Sequence, residues 1–234
     1  MSQLSDAQAG MVKIAVGNFR FGEEKGVEPG IPTKVAGFWI DKTEVTVHDY
    51  AACVASGQCT PPHNRWDTCN WPKRDQRGQH PINCVDWTQA NAFCSSMDKR
   101  LSTEQEWEFA ARGSDGRLYP WGEAAPKGQV CLKHGASEGA RKEEDGTCPV
   151  SQFAGDISPF RVLGMAGNVK EWTSSVEMLS GKVAARVIRG GGWSADPLSP
   201  LPTVRVLERE YLMPSEFASD LGFRCASDNP VARH

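Results

Sequence analysis

No segment of this 234-residue chain stays apolar long enough to cross a bilayer, since a helical span needs about 20 such residues. No two cysteines are separated by only two residues, so the close pairs typical of zinc sites are missing. Neither sign of charge dominates. Lys and Arg number 26 against 29 Asp and Glu, and the net charge of -3 gives no electrostatic reason to expect nucleic acid or an acidic membrane surface as partner. Repeats, low-complexity tracts and linkers are lacking too, which leaves one domain over residues 11–226 between short tails, 1–10 and 227–234. The opening MSQLSDAQAGMVKI lacks the pattern of a signal peptide.

What the chain does have is 23 Gly, 15 Pro and 8 Trp, a composition for a loop-rich fold anchored by indoles. It also has eight dispersed cysteines. Such an even, scattered set favours disulfides and an oxidising compartment, so the expected location is secreted or periplasmic. The missing leader keeps a cytosolic chain with reduced thiols as the other reading.

Local patterns give an α+β chain. MVKIAVGNFRFG (11–22) reads as a strand and turn, and residues 30–46 hold a second strand with Phe38 and Ile40 on one face. Residues 47–57 have helical spacing and a Gly stop, and 58–82 read as a polar loop stapled by cysteine. Trp87, Ala90, Phe93, Cys94 and Met97 recur at helical spacing behind Asp86 as N-cap. A further helix follows over 102–113, with Ser102 and Gln105 as its capping box and Glu104, Glu106 and Glu108 as an exposed face pairing with Arg100 or Arg112. Short strands and long loops fill 161–226. Most tryptophans are assigned to the core.

Several phrases, in order, resemble one family: FWIDKTEVTVHDY, HPINCVDWTQANAFC, KRLSTEQEWEFAARG, YPWG, MAGNVKEWTSS, RVIRGGGW and LGFRCA. Over about residues 11–226 the chain is similar to the formylglycine-generating enzymes, the sulfatase-modifying-factor domain. The resemblance implies an elaborated C-type-lectin fold with two main helices and small twisted antiparallel sheets. It also implies a Cys94–Cys225 disulfide. For the other cysteines we expect Cys131–Cys148 and Cys59–Cys69, leaving Cys53–Cys84, although spacing alone does not fix connectivity.

The same resemblance shows what has been lost. Family members that oxidise a substrate cysteine hold copper(I) on two cysteines after a GGS-aromatic turn, and soft thiolates suit that ion. Those positions are Ala195 and Pro200 here, and the Ser of the turn is Gly192. Copper is therefore not expected at that site. The family's oxygenase branch needs a histidine-rich iron motif, but His48, His63, His80, His134 and His234 show no helical ligand spacing. A family calcium position carries over to the carbonyls of Gly167 and Val169 and the carboxylate of Glu171. Its fourth ligand is replaced by Gly164, and the reading that Glu171 caps a turn stands equal to calcium. Lys170 stands where the family has an indole.

Residues 194–218 replace the active-site wall. Trp193, Ser194, Asp196, Glu208, Glu210 and Tyr211 are the candidate ligand-binding residues, on a loop stiffened by proline. Three readings are open. The first is a non-catalytic module binding a protein, peptide or small molecule. The second is an oxidoreductase using another metal site, and the third is a variable ligand-binding protein of a diversity-generating retroelement.

Overall fold

The computed structural model describes residues 10–132, 146–195 and 204–229. Ten short strands and three helices are described: β1 Met11–Ile14, β2 Gly17–Phe21, β3 Ile31–Val35, β4 Phe38–Asp41, α1 Val47–Ala55, α2 Trp87–Ser96, β5 Arg100–Leu101, α3 Glu104–Arg112, β6 Lys170–Leu179, β7 Val183–Arg189, β8 Arg209–Leu212, β9 Leu221–Gly222 and β10 Cys225–Ser227. They form one sheet in the order β1-β4-β10-β5, a β2-β3 hairpin, and a second sheet in the order β8-β7-β6-β9. The fold class is the expected α+β. The stretch 11–22 makes two strands rather than one, because β1 pairs with β4 while β2 turns away to pair with β3.

The helices start where side chains can satisfy their first amides. Asp86 accepts from Gln89 N while the Gln89 side chain accepts from Asp86 N, a closed capping box. In α3 the box is formed by Thr103 and Glu106, one residue later than the sequence suggested. The Ser102 carbonyl accepts from Ser174 N of β6, which ties Ser102 to the sheet instead. Helix α1 is capped by Thr46.

Helix α3 has no solvent face of carboxylates. Glu104 and Glu108 are buried. The helix is wedged between the β2-β3 hairpin and the β6-β7 strands, so its polar side meets protein too. Glu108 there accepts from both Arg112 and Arg189, and Arg100 pairs with Glu106.

Two large apolar cores and two smaller ones result. Of the large ones, the first gathers α1 and α2 with Trp172, Ile188 and Phe223; the other gathers α3 with Ile14, Phe19, Phe38 and Ile40. Trp107 and Trp172 are buried as expected but Trp66 is exposed, while Trp193, expected at the site rather than in the core, is buried too.

All eight cysteines are paired, as Cys53–Cys59, Cys69–Cys84, Cys94–Cys225 and Cys131–Cys148. The expected Cys59–Cys69 and Cys53–Cys84 links are thus corrected. The cause is the turn that ends α1: the amides of Gln58 and Cys59 both donate to the Cys53 carbonyl, which folds Cys59 back onto Cys53. Cys69 is then left for Cys84, whose backbone sits at a φ of 58°.

Candidate functional site

The strand β7 ends in Gly190–Gly192, and the chain then turns through Trp193 into the segment where the lost chemistry would stand. Trp193 is 6% exposed and fixed at both ends. Its amide donates to the Asn168 carbonyl at 2.7 Å, and its indole Nε1 donates to the Ser219 carbonyl at 2.9 Å. Its ring packs on the Cys131–Cys148 disulfide and Phe153. Trp193 therefore forms a rigid floor.

Polar groups converge beside it. Ser194 Oγ donates to Asp220 Oδ2. Lys170 Nζ lies 4.0 Å from the same oxygen and donates to both Glu210 oxygens at 2.7 and 2.9 Å. The parallel pairing of β6 with β9 brings Lys170 and Asp220 together, the Lys170 amide donating to the Asp220 carbonyl. Gly192 is what permits this approach: a Cβ there would stand 2.7 Å from the Asp220 Cβ.

Among the sequence-based candidates, Trp193, Ser194 and Glu210 come together. Tyr211 does not, because successive strand residues face opposite ways and Tyr211 pairs with Val187 while Glu210 pairs with Ile188. Glu208 is partly buried, and that burial pushes its carboxyl up. Asp196 and Pro200 lie outside the described residues. Lys170 and Asp220 were missed as site residues. Lys170 at the family's indole position was the one signal available.

The donors for a soft metal do not fit. Ala195 is partly buried against Tyr119, Val130, Ala166 and Val204, and every thiol in the chain is consumed in a disulfide. Among the described residues, no three His, Cys, Asp or Glu side chains gather to hold a metal ion.

The calcium set does not fit as placed either. Glu171 accepts from Arg224 Nε and NH2 at 2.7–3.0 Å and from the Trp107 indole at 2.8 Å, so both its oxygens are engaged. At Gly164, a Cβ would stand 2.8 Å from both Glu44 carboxylate oxygens.

Glu44 itself is buried and takes one hydrogen bond from the Asn168 amide, while its Oε2 has no partner. Burial pushes its carboxyl up to about 8. Asp156 is raised to about 6, again by burial. Both shifts let the folded state hold protons that the unfolded chain releases. Their stabilising contribution is complete below pH 4 and is lost as pH rises, through 6 for Asp156 and through 8 for Glu44. Between pH 6 and 8 the Glu44 contribution should fall by up to about 1.4 kcal/mol per pH unit. Urea midpoints at pH 6 and 8 should drop in the wild type and drop less in Glu44→Gln; equal slopes would refute the assignment.

The described geometry can be set beside known proteins. The family model for the sulfatase-modifying factor enzyme 1-like domain matches residues 1–229. The inactive C-alpha-formylglycine-generating enzyme 2 of Bos taurus is 38% identical over 155 residues, covering 64% of this chain and 50% of that protein. The chain thus spans about half the length of that relative. The formylglycine-generating enzyme of Thermomonospora curvata is 29% identical over 286 residues, covering 94% of this chain and 93% of that one. The crystal structure of CarF superposes with a TM-score of 0.72 at 22% identity, covering 94% of this chain and 98% of that chain, a likeness of fold.

Proposed function

We propose, from the premise that this chain belongs to the sulfatase-modifying factor enzyme 1-like domain family, that it is a non-catalytic binding module of that family. It takes a peptide, protein or small ligand at the Trp193 floor, between Ser194, Asp220, Lys170 and Glu210. The observation that carries the reading is the state of sulfur. The first copper position is an alanine methyl against an apolar cluster, and no free thiolate remains to bind copper(I) or to be attacked by a substrate thiol. The similarity to an enzyme 2 named inactive supports it further. The four disulfides support a secreted or periplasmic setting. In this reading Glu171 serves a salt bridge rather than calcium.

The test has two arms. Oxidised protein incubated with copper(I), oxygen and a peptide of the Cys-x-Pro-x-Arg type should yield no aldehyde, and aldehyde formation would refute the non-catalytic claim. A thermal-shift screen of peptides and small molecules should give ligands whose shift is abolished in Gly192→Ser, because the new side chain displaces Asp220 from Ser194. If every shift survives that substitution, the ligand site is elsewhere.

A further inference from the structure

The excursion between α1 and α2 carries a surface that the Trp193 site does not use. In the run HNRWDTCNWPKRDQR (63–77), four basic residues outnumber two acidic ones, in a chain whose net charge is -3. Two of the basic residues adjoin tryptophans in space. The Arg65 guanidinium lies 5.6 Å from the Trp66 ring centre, and that of Arg74 lies 5.2 Å from the Trp71 ring centre. Lys73 Nζ reaches back, at 3.0 Å, to the carbonyl of Asp67, the residue that follows Trp66.

Elsewhere on this protein Arg100, Arg117 and Arg209 each grip a carboxylate at 2.5–2.7 Å, while Arg186 lies over the Trp87 ring and donates to the Ser174 carbonyl. Arg65, Lys73 and Arg74 form no salt bridge among the described residues; Lys73 and Arg74 donate only to backbone carbonyls. Residues 64–67 and 72–76 are all exposed. Trp66, 38% exposed, leans on Phe217 at 5.3 Å, and Phe217 stacks face to face with His63 at 3.9 Å.

This surface is held in place by its backbone. The Cys53–Cys59 and Cys69–Cys84 disulfides bracket the excursion. Within it, buried Asn70 donates to the Pro81 carbonyl and Thr147, and its amide donates to the Asn83 side chain. Little ordering remains to be done on binding, which is how a preorganised site gains affinity.

We propose that this face binds an acidic polysaccharide. The exposed indole of Trp66 takes the apolar face of a sugar ring, and Arg65, Lys73 and Arg74 neutralise its carboxylate or sulfate groups. An acidic peptide would satisfy the cations but offers no ring to the indole. A single-stranded nucleic acid would satisfy both, but the four disulfides favour an oxidising compartment, where nucleic acid is the less expected polyanion. This site is separate from the Trp193 floor, so either proposal can fail alone.

Heparin fragments are the probe, with neutral dextran, polyglutamate and oligothymidylate as comparisons, followed by fluorescence anisotropy at 50 and 200 mM NaCl. Heparin should bind at the lower salt and weaken at the higher, because the attraction is screened. Arg65→Gln with Lys73→Gln and Arg74→Gln should weaken it about tenfold, and Trp66→Ala at least about threefold. The exposed triple variant should keep the wild-type melting temperature, so its loss of binding reads the charges alone. No heparin binding at 50 mM salt overturns the proposal. So does polyglutamate or oligothymidylate binding as tightly as heparin, or an undiminished affinity in the triple variant.

Discussion

Cys94→Ala together with Cys225→Ala is expected to cost about 5 kcal/mol of unfolding free energy, enough to leave the domain unfolded or nearly so at 37 °C. The size follows from the sequence separation of 131 that this bridge closes, against 6 for Cys53–Cys59. In the chain-entropy account the shorter loop contributes only about 2 kcal/mol. The long bridge also joins the last turn of α2 to β10, and both its sulfurs sit in the first core. Through it the C-terminal strand is held against β4 and β5, where the Cys225 amide donates to Asp41 Oδ2 at 2.9 Å. Urea unfolding of the two double variants without reductant compares them directly. If removing Cys53–Cys59 costs as much as removing Cys94–Cys225, loop length is not what makes the long bridge matter.

Much of this fold is legible in the primary structure because its signals are local. Asp86 followed by helical spacing ending in Gly-free polar chain is read within a dozen residues, and α2 lies where that pattern puts it. Two of the failures depend on segments far apart in sequence, and two on local geometry that spacing does not encode. Glu104 and Glu108 look like a solvated face until the β2-β3 hairpin and β7 close over α3 and supply Arg189. Cys59 is claimed by Cys53 because a turn after α1 reverses the chain, which spacing does not encode. The site is split in the same way. Trp193 and Ser194 follow a recognisable glycine turn, whereas Lys170 and Asp220 meet only through a parallel strand pairing fifty residues apart. Tyr211 follows Glu210 in sequence, but it pairs with Val187 while Glu210 pairs with Ile188, so the alternation of the strand turns the two side chains to opposite faces.

Arg224→Met is expected to cost about 3–5 kcal/mol, the second largest effect. Arg224 is 1% exposed and spends its guanidinium on three segments. Nε and NH2 hold Glu171 of β6; NH1 donates to the Asp41 and Lys42 carbonyls at 3.2 and 3.4 Å; NH2 also reaches the Leu163 and Gly164 carbonyls at 2.8 and 3.1 Å. Removing it leaves Glu171 a buried anion with only the Trp107 indole as donor, and strips the cation that favours ionisation of Glu44 and Asp156. Glu171→Leu alone strands the opposite charge. In the double variant neither charge is stranded, so it should cost less than the two single changes added together, with a coupling of about 1–3 kcal/mol. Urea midpoints at neutral pH for the four proteins give that coupling. Strict additivity would mean that Arg224 stabilises the fold through its carbonyl contacts, with Glu171 balanced by something else. A cation bound at Glu171 is the obvious substitute, so the same cycle repeated with calcium and with chelator separates the two: the coupling should be unchanged by calcium if the guanidinium is the only positive charge Glu171 meets.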